Sequence, residues 1–78
     1  MNSYLNRSGW SNVSTYELGT DYIKVQFNDG SVYLYTYVSA GQHHIELMRQ
    51  LAIQGQGLNS YINKYVRKNY ERHHLSAL

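Results

Sequence analysis

A turn between two stretches of alternating residues is the feature that most constrains the fold of this 78-residue chain. Before the Asn-Asp-Gly turn at residues 28–30, apolar Ile23, Val25 and Phe27 alternate with polar residues, which is the period of a strand with one buried face. The residues after the turn are rich in β-branched and aromatic side chains, which favour strands. The pattern predicts a β-hairpin over residues 22–38.

Composition limits how such a chain can be stabilised. A single domain of this size buries only a little over ~60% of the surface that its unfolded chain exposes. Without cysteine, it has neither disulfides nor a cysteine-based zinc site. Nine tyrosines, one tryptophan and one phenylalanine must therefore supply much of the core. No stretch approaches the ~20 apolar residues of a membrane-spanning helix, so we expect a soluble, cytoplasmic protein.

The segments on either side of the hairpin predict one further strand and two helices. Residues 13–18 suit a strand, although their alternation is poor. A capping-box pattern at residues 39–42 begins a first helix, and Gly55 suits its left-handed C′ position. Asn59 is expected to cap a second helix that ends near Arg72. The sequence therefore predicts an α+β fold, a three-stranded antiparallel β-meander followed by two α-helices packed on one face.

The chain divides into three parts. Residues 1–10 are polar and lack a period, so we expect a flexible N-terminal lead-in. Residues 11–74 form the single domain, and residues 75–78 are a C-terminal tail.

Two motifs follow one another along the chain: Ile23-x-Val25-x-Phe27-x-Asp29-Gly30-x-x-Tyr33-x-Tyr35-x-x-Val38 and Ala52-x-x-Gly55-x-Gly57-Leu58-Asn59-x-x-Ile62. Together they resemble the motifs of the KTSC domain. The resemblance covers roughly residues 11–70. The chain departs from the family pattern at Ser39, where a proline is usual, and at Leu58, where an aromatic residue usually precedes the asparagine.

The resemblance implies a function only by analogy. KTSC domains occur alone in bacterial and phage-like proteins and at the C-terminus of some lysyl-tRNA synthetases. The family has no established activity, and its occurrence in a synthetase suggests RNA binding. The motif residues Tyr33, Tyr35, Gly30, Gly55 and Asn59 are expected to be structural.

The direction in which the tyrosines face depends on the hairpin register, because a shift of one residue moves every side chain to the opposite face. A two-residue turn would place Phe27 opposite Val32, and the tyrosines would form an outer platform for stacking bases. A three-residue turn with Gly30 left-handed would place Val25 opposite Tyr33, beneath the helices. We favour the three-residue turn, because Asn-Asp-Gly suits two right-handed residues followed by a left-handed glycine.

The basic residues cluster near the C-terminal end of a chain whose net charge is only +2. Lys64, Arg67, Lys68 and Arg72 lie within one predicted helix, and Lys24 is a further candidate. We expect these side chains to bind the phosphates of RNA or single-stranded nucleic acid, with an affinity that falls steeply as salt increases.

A second function remains open. In the favoured register, Val32, Leu34 and Thr36 form an apolar strip on the outer face of the sheet, which suits a homodimer or another protein partner. Salt-sensitive retention on RNA would favour nucleic-acid binding, whereas a concentration-dependent dimer without nucleic-acid affinity would favour self-association.

Metal binding and catalysis have little support. The pairs His43-His44 and His73-His74 are sequence neighbours, and neighbours on a helix point about 100° apart, so they cannot chelate together. No nucleophile, base and orienting acid stand out. We therefore expect a non-enzymatic binding module without a metal or other cofactor.

Overall fold

A computed structural model describes residues 1–7, 9 and 11–74, so the predicted tail at residues 75–78 lies outside the described residues. The α+β class is confirmed, with a five-stranded antiparallel sheet in place of the expected three strands. The strands follow chain order: β1 (Asn2–Ser3), β2 (Val13–Leu18), β3 (Tyr22–Phe27), β4 (Val32–Thr36) and β5 (Arg72–His74). The helices are α1 (Tyr37–Ala40), α2 (Gln42–Gln54), α3 (Leu58–Tyr61) and the π-helix Ile62–Val66. None of the described helices is long and apolar enough to cross a membrane.

Sheet and helices share one core. It contains buried side chains from β2, β3, β4, α2, α3 and the π-helix, together with one tyrosine before β2. Its members are Tyr4, Val13, Tyr16, Ile23, Val25, Tyr35, Ile45, Met48, Ala52, Leu58, Ile62 and Val66. The period-two pattern of β3 and the three-and-four pattern of α2 thus converge on the same layer.

The β3–β4 hairpin has the register of the three-residue turn, as predicted. The Phe27 amide donates to the Ser31 carbonyl over 2.9 Å, and the Gly30 amide donates to the Phe27 carbonyl over 2.9 Å. Gly30 has a φ of +91°, which an L side chain rarely adopts. Val25 lies opposite Tyr33, so the two face the same side of the sheet. The tyrosines are therefore not an outer platform.

The strand β4 ends earlier than predicted. Its last residue is Thr36, and Tyr37 already belongs to α1. Thr36 and Ser39 form the capping box of α1: each hydroxyl accepts from the other residue's backbone amide over 3.0 Å. The capping box predicted at residues 39–42 is therefore wrong, and α2 begins after Gly41 without a side-chain cap. Gly55 ends α2 in the left-handed conformation, as predicted.

A β-bulge in β2 accounts for its poor alternation. The register against β3 shifts between Val13 and Thr15. Since the bulge adds one residue to the strand, Val13 and Tyr16 both reach the core, where they are 2% and 9% exposed.

The segment at residues 2–7, here named the N-terminal segment, packs on the domain instead of leading into it. β1 pairs with β2, and the Tyr4 ring meets the Tyr16 ring edge to face at 6.5 Å. The Tyr4 hydroxyl accepts a hydrogen bond from the buried Leu58 amide over 3.2 Å. The Arg7 amide donates to the Gly55 carbonyl over 2.7 Å. Only one side chain of the segment, that of Tyr4, is buried, and a single inward residue leaves no period in the sequence.

The second helix is shorter than predicted and begins differently. Gly57, at φ +87°, precedes α3, so Asn59 lies within the first turn and is not the N-cap. After the π-helix the chain turns back, and Arg72 pairs with Leu34 as part of β5. The chain contains no proline that would mark the end of the helical segment in the sequence. In the structure, the segment is followed by backbone pairing of β5 with β4.

Candidate functional site

A cleft of about 710 Å³ opens between the turn end of the β3–β4 hairpin and the helical segment that follows Gly57. We name it the hairpin–helix cleft. Its sheet side is formed by Asn12, Phe27, Asn28, Asp29, Ser31, Tyr33 and Tyr35, and its helix side by Asn59, Ile62, Asn63, Arg67, Lys68 and Tyr70. The volume lies within the range of about 300–1,000 Å³ that is typical of ligand pockets.

The predicted basic residues do not form a single patch. Arg67 and Lys68 line the hairpin–helix cleft, and both are exposed. Lys24 and Arg72 lie on the other face of the sheet, where both border a shallow depression. Lys64 lies elsewhere on the helical segment. Arg72 is separated from Arg67 and Lys68 because it belongs to strand β5 and not to the predicted helix.

Two of the predicted basic residues outside the cleft, Lys24 and Lys64, have partners among the described residues. The Lys24 ammonium is 3.9 Å from the Glu17 carboxylate, in a half-exposed pair. The Lys64 ammonium is 5.4 Å from the ring centroid of Tyr65, within the reach of a cation–π contact.

Three of the motif residues expected to be structural also line the cleft. Tyr33, Tyr35 and Asn59 come together with Arg67 and Lys68, although the two motifs and the basic residues are separate in the sequence. The other two motif residues are glycines with positive φ: Gly30 lies in the hairpin turn, and Gly55 lies beneath the N-terminal segment.

Tyr35 is a buried residue in the lining of the cleft. Its side chain is 1% exposed, yet its hydroxyl makes no hydrogen bond to the described residues. Tyr35 lines the cleft, and among the described residues no fully enclosed side-chain polar atom lacks a partner. Burial raises the pKa of Tyr35 well above its ordinary value. The hydroxyl therefore stays protonated and can donate to a ligand.

The ring of Tyr33 is enclosed by four other aromatic rings. Its centroid is 5.4 Å from that of Phe27, 6.4 Å from Tyr35, 5.1 Å from Tyr70 and 4.9 Å from His73. Phe27 belongs to β3 and His73 to β5, so Tyr33 has neighbours on both sides across the sheet. From the sequence, His73 was considered only as a metal ligand beyond a helix that ends near Arg72, so its contact with Tyr33 was not predicted.

The two walls of the cleft differ in charge. On the sheet side, the Ser31 hydroxyl and amide donate to one oxygen of Asp29 over 2.6 and 2.9 Å. These bonds lower the pKa of the Asp29 carboxyl, which is therefore ionised at neutral pH. On the helix side, Asn63, Arg67 and Lys68 are exposed. The side-chain amides of Asn59 and Asn63 make no hydrogen bond to any described residue.

Within the described part of the chain, no group of three or more His, Cys, Asp or Glu side chains could hold a metal ion. The Nδ1 atom of His44 lies 2.6 Å from the Tyr61 hydroxyl, so this histidine has a partner in the fold.

The outer face of the sheet is more polar than the sequence predicted. Val32, Leu34 and Thr36 are half-buried. The Thr36 hydroxyl donates to the Glu71 carboxylate over 3.0 Å. The depression around Leu34 is bordered by charged side chains: Asp21, Lys24, Glu71 and Arg72. The apolar strip is therefore narrow.

Comparison of the chain with protein-family models, with curated proteins and with solved structures finds no match. The resemblance to the KTSC domain stays a prediction. The function of the hairpin–helix cleft has to be inferred from its own geometry.

Proposed function

We propose that the protein is a small non-enzymatic module that binds RNA or single-stranded nucleic acid in the hairpin–helix cleft. The observation that carries the proposal is that Arg67 and Lys68 line a cleft that also contains hydrogen-bonding groups without described partners. Cations supply most of the affinity for nucleic acid through the phosphates. Polar side chains at the same place would fix the position of the strand.

The size of the cleft favours one strand over a duplex. A volume of about 710 Å³ is that of a small-molecule site, so it suits one or two nucleotides. An unpaired strand can enter such a cleft, because neither its sugars nor its bases are held in a helix.

Self-association through the outer face is the alternative function, and the geometry supports it less. Val32 and Leu34 are half-buried, and charged residues border the depression beside them. Val38 is 94% exposed, but a single exposed apolar side chain is ordinary on a protein surface.

The test compares two variants that lose the same charge. Arg67→Gln/Lys68→Gln removes the two cations of the cleft, and Lys24→Gln/Arg72→Gln removes two from the other face. We expect the cleft variant to bind a fluorescent single-stranded RNA at least about 10-fold more weakly, because each phosphate contact is charge-assisted. For this variant, the slope of log affinity against log salt between ~50 and ~200 mM should be smaller in magnitude by about 1.4, because each of the two lost phosphate contacts removes ~0.7. The matched control should bind like the wild type.

Two results would contradict the proposal. Equal loss of affinity in both variants would mean that the cleft has no special role. The second result is that the protein does not bind RNA but forms a concentration-dependent dimer in sedimentation. If Leu34→Ser disrupts that dimer, self-association replaces the proposed function. Circular dichroism checks that the variants fold, as expected from the exposed or half-exposed positions of all four side chains.

A further inference from the structure

We infer that the hairpin–helix cleft recognises the ribose-phosphate backbone of RNA and not its bases. The inference rests on the proposed function and deepens it, because it names the part of the nucleic acid that the cleft contacts. Three properties of the cleft lead to it: the enclosure of its aromatic rings, its hydrogen-bonding groups without described partners, and the opposite charge of its two walls.

The aromatic rings of the cleft are poorly placed for stacking. Base recognition by stacking needs an aromatic face that is open to the ligand. The Tyr33 ring has Phe27 on one neighbouring strand and His73 on the other. Tyr35 is buried, and Tyr70 meets both tyrosines edge to face. A base would have to displace one of these rings in order to stack on Tyr33.

The polar groups suit hydroxyls instead. Tyr35, Asn59 and Asn63 all line the cleft. The protonated Tyr35 hydroxyl can donate, and the two side-chain amides each offer a donor and an acceptor. A ribose 2′-hydroxyl both donates and accepts, and it is the group by which a protein distinguishes RNA from DNA. Asn63 and Arg67 are four residues apart on the helical segment, and both line the same cleft. One strand can therefore contact both, with a ribose at the amide and a phosphate at the guanidinium.

The charges of the two walls would orient the strand. Asp29, on the sheet side, is ionised and repels phosphate, but its carboxylate can accept from a ribose hydroxyl. Arg67 and Lys68 attract phosphate on the helix side. The backbone would thus lie with its phosphates towards the helical segment and its sugar hydroxyls towards the hairpin turn.

The test uses three fluorescent oligonucleotides of one length: uridine RNA, deoxyuridine DNA and an abasic ribose-phosphate RNA. Polarisation titrations should give similar affinities for the two ribose strands and about 10-fold weaker binding of DNA, because the 2′-hydroxyl contacts are lost. Asn63→Ala and Tyr35→Phe should lower the affinity for RNA towards that for DNA while leaving DNA binding unchanged. His73→Ala is the control for stacking, since it removes an exposed ring, 4.9 Å from that of Tyr33, on which a base could otherwise stack.

The outcomes separate this inference from the proposed function. If DNA binds as tightly as RNA, or if the abasic strand or His73→Ala loses most of the affinity, the inference is overturned and the proposed function stands. If Asn63→Ala and Tyr35→Phe weaken RNA and DNA equally, the backbone assignment also fails. If none of the three strands binds, both the inference and the proposed function fail.

Discussion

Tyr35 belongs to the core and to the cleft at the same time. Its ring is packed among other core residues, whereas its hydroxyl bonds to none of the described residues. A buried hydroxyl without a partner is unfavourable, and phenylalanine would fill the same space without that penalty. A ligand in the cleft that accepted a hydrogen bond from this hydroxyl would remove the penalty.

The raised pKa of Tyr35 predicts a loss of stability in alkaline solution. Burial holds this pKa above the value of ~10 in the unfolded chain, so above pH ~10 the folded state keeps a proton that the unfolded state releases. The resulting stability is fully present below pH ~10 and is lost as pH rises through the folded-state pKa.

Urea unfolding of the wild type and of Tyr35→Phe, from pH ~9 to ~12, measures this effect. The variant should lose stability less steeply above pH ~10. Tyr22 and Tyr37 also have raised pKa values, through hydrogen bonds to Glu17 and Glu46, but they titrate in both proteins and cancel in the comparison. Parallel curves would show that Tyr35 does not control the alkaline transition.

At the scale of elements, the features set by adjacent residues were predictable. The Asn-Asp-Gly turn fixed the hairpin register, and Gly55 marked the end of α2, because each depends on the φ of one glycine. β1 and β5 were missed, since strands of two and three residues are too short to show a period. The bulge in β2 was hidden for a related reason: it breaks the period by which a strand is recognised.

The candidate site was predicted only in part. Arg67 and Lys68 were named from the sequence, and the structure brings them to Tyr33, Tyr35 and Asn59. The same pattern of charge also included Lys24 and Arg72, which lie on the other face of the sheet. The two pairs can be told apart only when the end of the helical segment is known. That end is set by the pairing of β5 with β4.

The junction between α2 and α3 provides a matched pair of glycines. Both Gly55 and Gly57 are left-handed, so alanine at either position should destabilise the fold by about 1–2 kcal/mol through backbone strain. At Gly55 the new Cβ would also overlap the Leu5 side chain, whereas at Gly57 it meets only the Leu51 methyl at an ordinary 3.6 Å.

Urea denaturation should therefore give a larger loss of unfolding free energy for Gly55→Ala than for Gly57→Ala. The excess should be at least about 1 kcal/mol, because the N-terminal segment has to shift away from the new methyl group. Equal losses would mean that this segment does not press on Gly55 in solution.

At the scale of the whole molecule, the N-terminal segment connects the sheet to the start of α3. Tyr4→Phe removes the hydroxyl that accepts from the Leu58 amide, and it leaves that buried donor without a partner. We expect a loss of about 1–3 kcal/mol in the free energy of unfolding. Tyr16→Phe is the matched control, since the Tyr16 hydroxyl bonds to no described residue, and it should change stability by only about 0.5 kcal/mol. Similar losses in the two variants would contradict a role for the Tyr4 hydroxyl.

The bond between Tyr4 and Leu58 joins residues 54 positions apart, which bears on the order in which the protein folds. The β3–β4 hairpin closes over a short turn, whereas the N-terminal segment gains its contacts only after the intervening chain is in place. It should therefore dock late in folding, and its amides should exchange hydrogen with solvent sooner than those of β3. Undocking would also remove the hydrogen bond that the Leu58 amide donates at the start of α3, one residue before Asn59 of the hairpin–helix cleft.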